Sequence, residues 1–103
     1  MKTADELFKE LGYEKKEFIY DEKHRYSNGI QYIKEDAKSE MERVGFITKQ
    51  VIEIYYYHKE ILKYHTQTFK DGRISRWDLA IFKLEELKAI NQFCKEKGWL
   101  DEK

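Results

Sequence analysis

The sequence predicts an α+β fold: an N-terminal helix, an antiparallel β-meander of about four to six strands, and a C-terminal helix packed on the sheet. Three observations carry that expectation. Each end of the chain is a short amphipathic segment closed by a glycine; the middle is rich in Ile, Val, Tyr and Phe; and turn signals cut that middle into strand-length pieces.

The first helix begins at Ala4, because Thr3 and Glu6 have the spacing of a capping box. Its apolar stripe is Ala4, Leu7, Phe8 and Leu11. Gly12 stands where a left-handed residue ends a helix, and Tyr13 is placed to pack on Phe8. At the other end, LEELKAINQFCKEKGWL puts Leu84, Leu87, Ile90 and Cys94 on one face, with Phe93 beside it. Gly98 closes that helix and Trp99 is set to cover Cys94. Glu85 and Glu86 near its start, with Lys95 and Lys97 near its end, suit the helix dipole.

Between the helices, Ser27-Asn28-Gly29 predicts a hairpin turn between EFIYDEKHRY and IQYIKE, and Asp71-Gly72 predicts one between YHTQTF and RISRW. The charge-dense run KEDAKSEMER, Lys34 to Arg43, reads as an exposed connection or a short solvated helix, and VGFIT resumes strand composition. In SRWDLAIFK two readings stand. Ser75 and Asp78 fit a capping box that would start one long helix at Arg76, or a strand runs to about Phe82 before the last helix.

The stretch YYYHKEILKYH, Tyr55 to His65, also admits two readings. Strands from Val51 to Tyr57 and from Ile61 to Phe69, joined at His58 to Glu60, would place Tyr55 opposite Lys63 and Glu53 opposite His65. Ile52, Ile54, Tyr56, Leu62 and Tyr64 would then face the core. Glu53, Tyr55, Tyr57, Ile61, Lys63 and His65 would face away. A helical alternative exists, since Val51, Tyr55, His58, Leu62, His65 and Phe69 recur at spacings of four and three. The concentration of β-branched and aromatic residues in VIEIYYY favours strand.

A chain of 103 residues and 12.6 kDa fits a single globular domain, 1–103. Twenty Lys plus Arg balance twenty Asp plus Glu, so the molecule lacks the basic excess that drives phosphate binding by counterion release. No apolar run reaches the roughly 18 residues of a membrane span, and MKTADELFKE has neither a signal core nor a transit pattern. Cytosolic residence is the expectation, and the lone Cys94 agrees with a reducing compartment.

Candidate chemistry is sparse. His24, His58 and His65 show no zinc or calcium spacing, Cys94 lies in an apolar stripe, and glycines are too few for a phosphate cradle. The expectation is therefore a non-enzyme with no catalytic, cofactor-binding or metal-ligating residues. From Tyr55 to Arg76 five basic residues stand against two acidic ones. Interleaved tyrosines there could stack on unpaired bases, so direct nucleic-acid binding is one reading. The other is a protein-binding surface, because Tyr, Trp and Arg most often anchor interfaces and Trp77 is close by. Either way the candidate partner-binding residues are Tyr55, Tyr57, Lys59, Lys63, Arg73 and Arg76.

Two segments, TADELFKELGYEK and LEELKAINQFCKEKGWL, resemble small uncharacterised proteins encoded by phages and prophages of Gram-positive bacteria. The resemblance implies helix–sheet–helix order and brings no catalytic motif. It also implies a context in the host cytosol, where such accessory proteins commonly bind a host protein. Anti-CRISPR and other anti-defence inhibitors are one such class. The expected function is accordingly to block or redirect a host protein, one that handles nucleic acid included.

Overall fold

The computed structural model describes residues 2–19, 23, 27–35, 45–69 and 71–100. Thr3 and Glu6 do what their spacing predicts: the Thr3 hydroxyl accepts the Glu6 amide at 3.2 Å, the Glu6 carboxylate accepts the Thr3 amide at 3.3 Å, and helix α1 spans Ala4–Glu10. At its end Gly12 takes φ +91°, the Tyr13 amide donates to the Phe8 carbonyl, and the Tyr13 ring meets Phe8 edge-on. Helix α2, Leu84–Glu96, closes the same way through Gly98 at φ +72° and the Trp99 amide on the Cys94 carbonyl.

Between the helices run β1 (Glu14–Phe18), β2 (Gly29–Glu35), β3 (Phe46–Tyr55), β4 (Glu60–Phe69) and β5 (Ile74–Leu79). They form one sheet in sequence order, with every neighbouring pair antiparallel. The chain is thus the α+β helix–meander–helix that its sequence predicts. Residues 51–55 and 60–69 are strand rather than helix, and SRWDLAIFK is strand as far as Leu79, with the last helix starting only at Leu84. The Asp71-Gly72 turn joins β4 to β5, with Gly72 at φ +89°.

The turn expected at Ser27-Asn28-Gly29 is not where β1 meets β2. Their ladder ends with Phe18 opposite Gly29, which makes Gly29 a strand residue. Its missing side chain serves close approach: a Cβ there would lie 2.3 Å from the Ile54 carbonyl oxygen. Residues 20–22 and 24–26 of the expected first strand, and the charged connection at 36–43, lie outside the described residues.

Helices α1 and α2 pack on one face of the sheet. Phe8 of α1 stacks on Tyr32 with ring centroids 3.8 Å apart, and Ile30, Ile52 and Ile54 complete the floor beneath Ala89, Ile90, Phe93 and Cys94 of α2. Glu96 of α2 accepts the Ala4 amide at 2.8 Å, which ties the two helices together. The buried stripe of α2 is rotated from the expected one. Leu84 and Leu87 are exposed, whereas Glu86 is buried beside Ala89 and Phe93. The reason is a cation in the core.

Candidate functional site

The β3–β4 hairpin turns at Tyr56 to Lys59, so Tyr55 lies opposite Glu60, Ile52 opposite Lys63 and Glu53 opposite Leu62. This register differs from the expected one by an odd number of residues, and an odd shift moves every β4 side chain to the other face. The expected faces therefore hold for β3 and reverse for β4. Ile61 and Lys63 point to the helices, while Leu62 and Tyr64 point away. Lys59, which absorbs the turn, takes φ 56° in the left-handed region.

Lys63 is only 3% exposed and Glu86 only 4%. The Lys63 ammonium donates to the Glu86 carboxylate at 2.7 Å and to the Ile81 carbonyl at 3.1 Å. The other Glu86 oxygen accepts the Tyr13 hydroxyl, and the Lys83 amide donates to the first at 2.9 Å. Burial alone would raise the Glu86 pKa. The donors Lys63, Lys83 and Tyr13, with the Lys63 charge, outweigh it and hold the carboxyl below its ordinary value.

The six candidate binding residues consequently do not form one patch. Tyr57 and Lys59 occupy the β3–β4 turn, and Arg73 follows the β4–β5 turn at the opposite end of the ten-residue β4, about 30 Å away. Tyr55 lies on the face opposite α1 and α2, which is helix-free among the described residues. Arg76, paired with Gln67, shares the side of Lys63 and is exposed. Lys63 is withdrawn from any surface role by its burial.

What the register does assemble is an aromatic and apolar surface on the side away from the helices. Cross-strand partners run Ile33, Val51, Tyr64 and Leu79 across β2 to β5, of which Val51 is buried. Trp77 lies beside Tyr64 with ring centroids 5.0 Å apart and planes tilted by 31°. Trp77 is 51% exposed, Leu79 71% and Ile74 63%. An antiparallel sheet with one face packed usually presents alternating polar residues on the other, and clustered apolar exposure marks contact surfaces.

A polar centre is set into this surface. Glu53, 8% exposed, accepts Gln31 Nε2 at 2.6 Å, the Tyr55 hydroxyl at 2.5 Å and the Tyr64 hydroxyl. Burial, then the hydrogen bond to Glu53 and its charge, push the Tyr64 phenol far above its usual pKa. Tyr64 therefore stays a donor, and the network holds both tyrosine rings in place.

Sequence reasoning included Tyr55 and named Trp77 as a possible anchor, but it assigned Leu62 and Tyr64 to the core. The signal that would have found them is the pairing of Glu53 with two tyrosine hydroxyls, which requires the correct register. Among the described residues, no three His, Cys, Asp or Glu side chains converge as a metal site, and no helix is long and apolar enough to cross a membrane. Comparison of the chain with protein-family models, with curated proteins and with solved structures gives no match.

Proposed function

We propose that the chain is a non-enzymatic protein-binding module whose docking surface is the helix-free face of the sheet. The observation that carries this reading is Trp77, half exposed on β5, set against Tyr64 and flanked by exposed Leu79 and Ile74. Rigid aromatic anchors among aliphatic side chains are what interface hot spots are made of. The Glu53 network supports the same reading, since it orders the Tyr55 and Tyr64 rings before any partner arrives and so lowers the cost of binding.

The partner class follows from the resemblance of the two chain ends to small phage and prophage proteins. That context favours a host protein, one that handles nucleic acid included, and an inhibitory role of the anti-CRISPR or wider anti-defence kind. Direct nucleic-acid binding is the weaker alternative, because Lys63 is buried and Lys59, Arg73 and Arg76 are dispersed. Capture from a host lysate with native protein and with Trp77→Ala and Tyr64→Ala variants tests the proposal. A partner retained by native protein and lost from both variants, each still folded, supports it. Equal retention sinks it, and a mobility shift with single-stranded DNA or RNA at low salt would favour the alternative.

A further inference from the structure

The two edges of the sheet are unlike. β1 is defended by charge, with Glu14, Lys15, Lys16 and Glu17 all exposed along EKKEF. Alternating charges of this kind keep an edge from pairing with another strand. β5, at the other edge, carries Ile74, Trp77 and Leu79, all exposed, with Arg76 and Asp78 between them. We propose that β5 pairs antiparallel with β5 of a second copy of this chain about a twofold axis at Trp77, forming a dimer with one continuous sheet.

The backbone fixes which groups are available. The Ala80 amide donates to the Lys63 carbonyl at 2.9 Å, and direct pairing then continues through Asp78 opposite His65. In an antiparallel ladder the peptide groups alternate in direction. Those of Ala80 and Asp78 therefore point to β4, and those of Trp77 and Leu79 point outward. A twofold pairing must match outward residue with outward residue, which leaves only registers that keep each face of the sheet continuous.

Charge selects among those registers. Trp77 facing Trp77 of the second copy sets Arg76 against the second copy's Asp78, and Asp78 against its Arg76. Arg76 and Asp78 already pair within the chain at 2.5 Å, so the axis would bring two such pairs head to tail in a ring of alternating sign. A two-residue slip one way opposes Arg76 to its own copy, and a slip the other way opposes Asp78 to its own copy. Like charges directly opposite are destabilising, so both slips are disfavoured.

The remaining features agree. The register irregularity between Gln67 and Thr68 makes Ser75 an extra residue in β5, so the new ladder centred on Trp77 runs from Arg76 to Asp78 of each copy, with Leu79 opposite the second copy's Ser75. An isologous contact closes on itself, and the charged β1 edges left outermost oppose further growth. Since the dimer uses the edge, the indole of Trp77 stays on the helix-free face. The two docking faces would then adjoin across the axis, but the dimer does not depend on the docking reading.

Sedimentation equilibrium of the purified chain, without any partner, tests the proposal. The native protein is expected to approach dimer mass as its concentration rises toward the high micromolar range. Arg76→Asp alone and Asp78→Arg alone should each remain monomeric, because each places like charges across the axis. Mixing those two variants should restore a one-to-one complex, because their charges are then complementary. A native protein that stays monomeric throughout overturns the proposal. So does a dimer that survives either single change, or a mixture of the two variants that stays monomeric. Unchanged circular dichroism for both variants keeps a loss of association distinct from a loss of fold.

Discussion

Replacing Lys63 by Met removes the cation from the core and leaves Glu86 buried beside Tyr13. Breaking a buried pair from one side costs about 3–5 kcal/mol, because the remaining charge stays desolvated without its partner. The Tyr13 hydroxyl and Lys83 amide still solvate Glu86, so the lower part of that range, about 3 kcal/mol, is expected. Against a total stability of roughly 5–15 kcal/mol this is a large loss. Urea unfolding followed by circular dichroism measures it, and the melting temperature should fall by more than about 10 °C. The double change Lys63→Met with Glu86→Leu removes both charges and should recover most of the loss. A Lys63→Met variant within about 0.5 kcal/mol of native protein would contradict a buried Lys63–Glu86 pair. It would place Lys63 in solvent, and with it the opposite face for all of β4.

Gly29→Ala should cost about 1–3 kcal/mol or more, read from the same urea titration, because its Cβ would meet the Ile54 carbonyl oxygen at 2.3 Å. Lys59→Gly should raise the urea midpoint slightly: relief of a left-handed residue, about 1–2 kcal/mol, exceeds the added chain entropy of roughly 0.5–1 kcal/mol. Acid should weaken the fold through Glu86. Its folded pKa lies below the unfolded one, so its contribution is present above about pH 4.3 and is lost as pH falls through the folded value. The stability gap between native protein and Glu86→Gln should therefore narrow from pH 7 to pH 3, and a gap that widens would contradict the assignment.

The helix ends were legible because their signals are local. Thr3 with Glu6, and Gly12 and Gly98 at the C-termini, each act over three or four residues. The face of β4 was not legible, because a left-handed turn residue is normally marked by Gly or Asn and here it is Lys59. Nothing in YYYHKEILKYH separates a turn at Tyr56 to Lys59 from one three residues later in register. Lys63 meets Glu86 across 23 residues of sequence, and no periodicity reports that pairing. The same long-range contact explains α2: Glu86 must face Lys63, which turns Leu84 and Leu87 outward. The surface followed the register, so Tyr55 was placed correctly while Lys63 and Tyr64 exchanged faces.

The two tryptophans make the docking claim measurable within one spectrum. Trp77 lies on the helix-free face, and Trp99 packs against Phe93 and Tyr56 on the helix side. In a nitrogen-15 correlation spectrum of the chain at fixed concentration, adding the captured partner should shift or broaden the Trp77 indole resonance and leave that of Trp99 in place. Movement of Trp99 with Trp77 unchanged would put the partner on the side of α1 and α2 and contradict docking at Trp77.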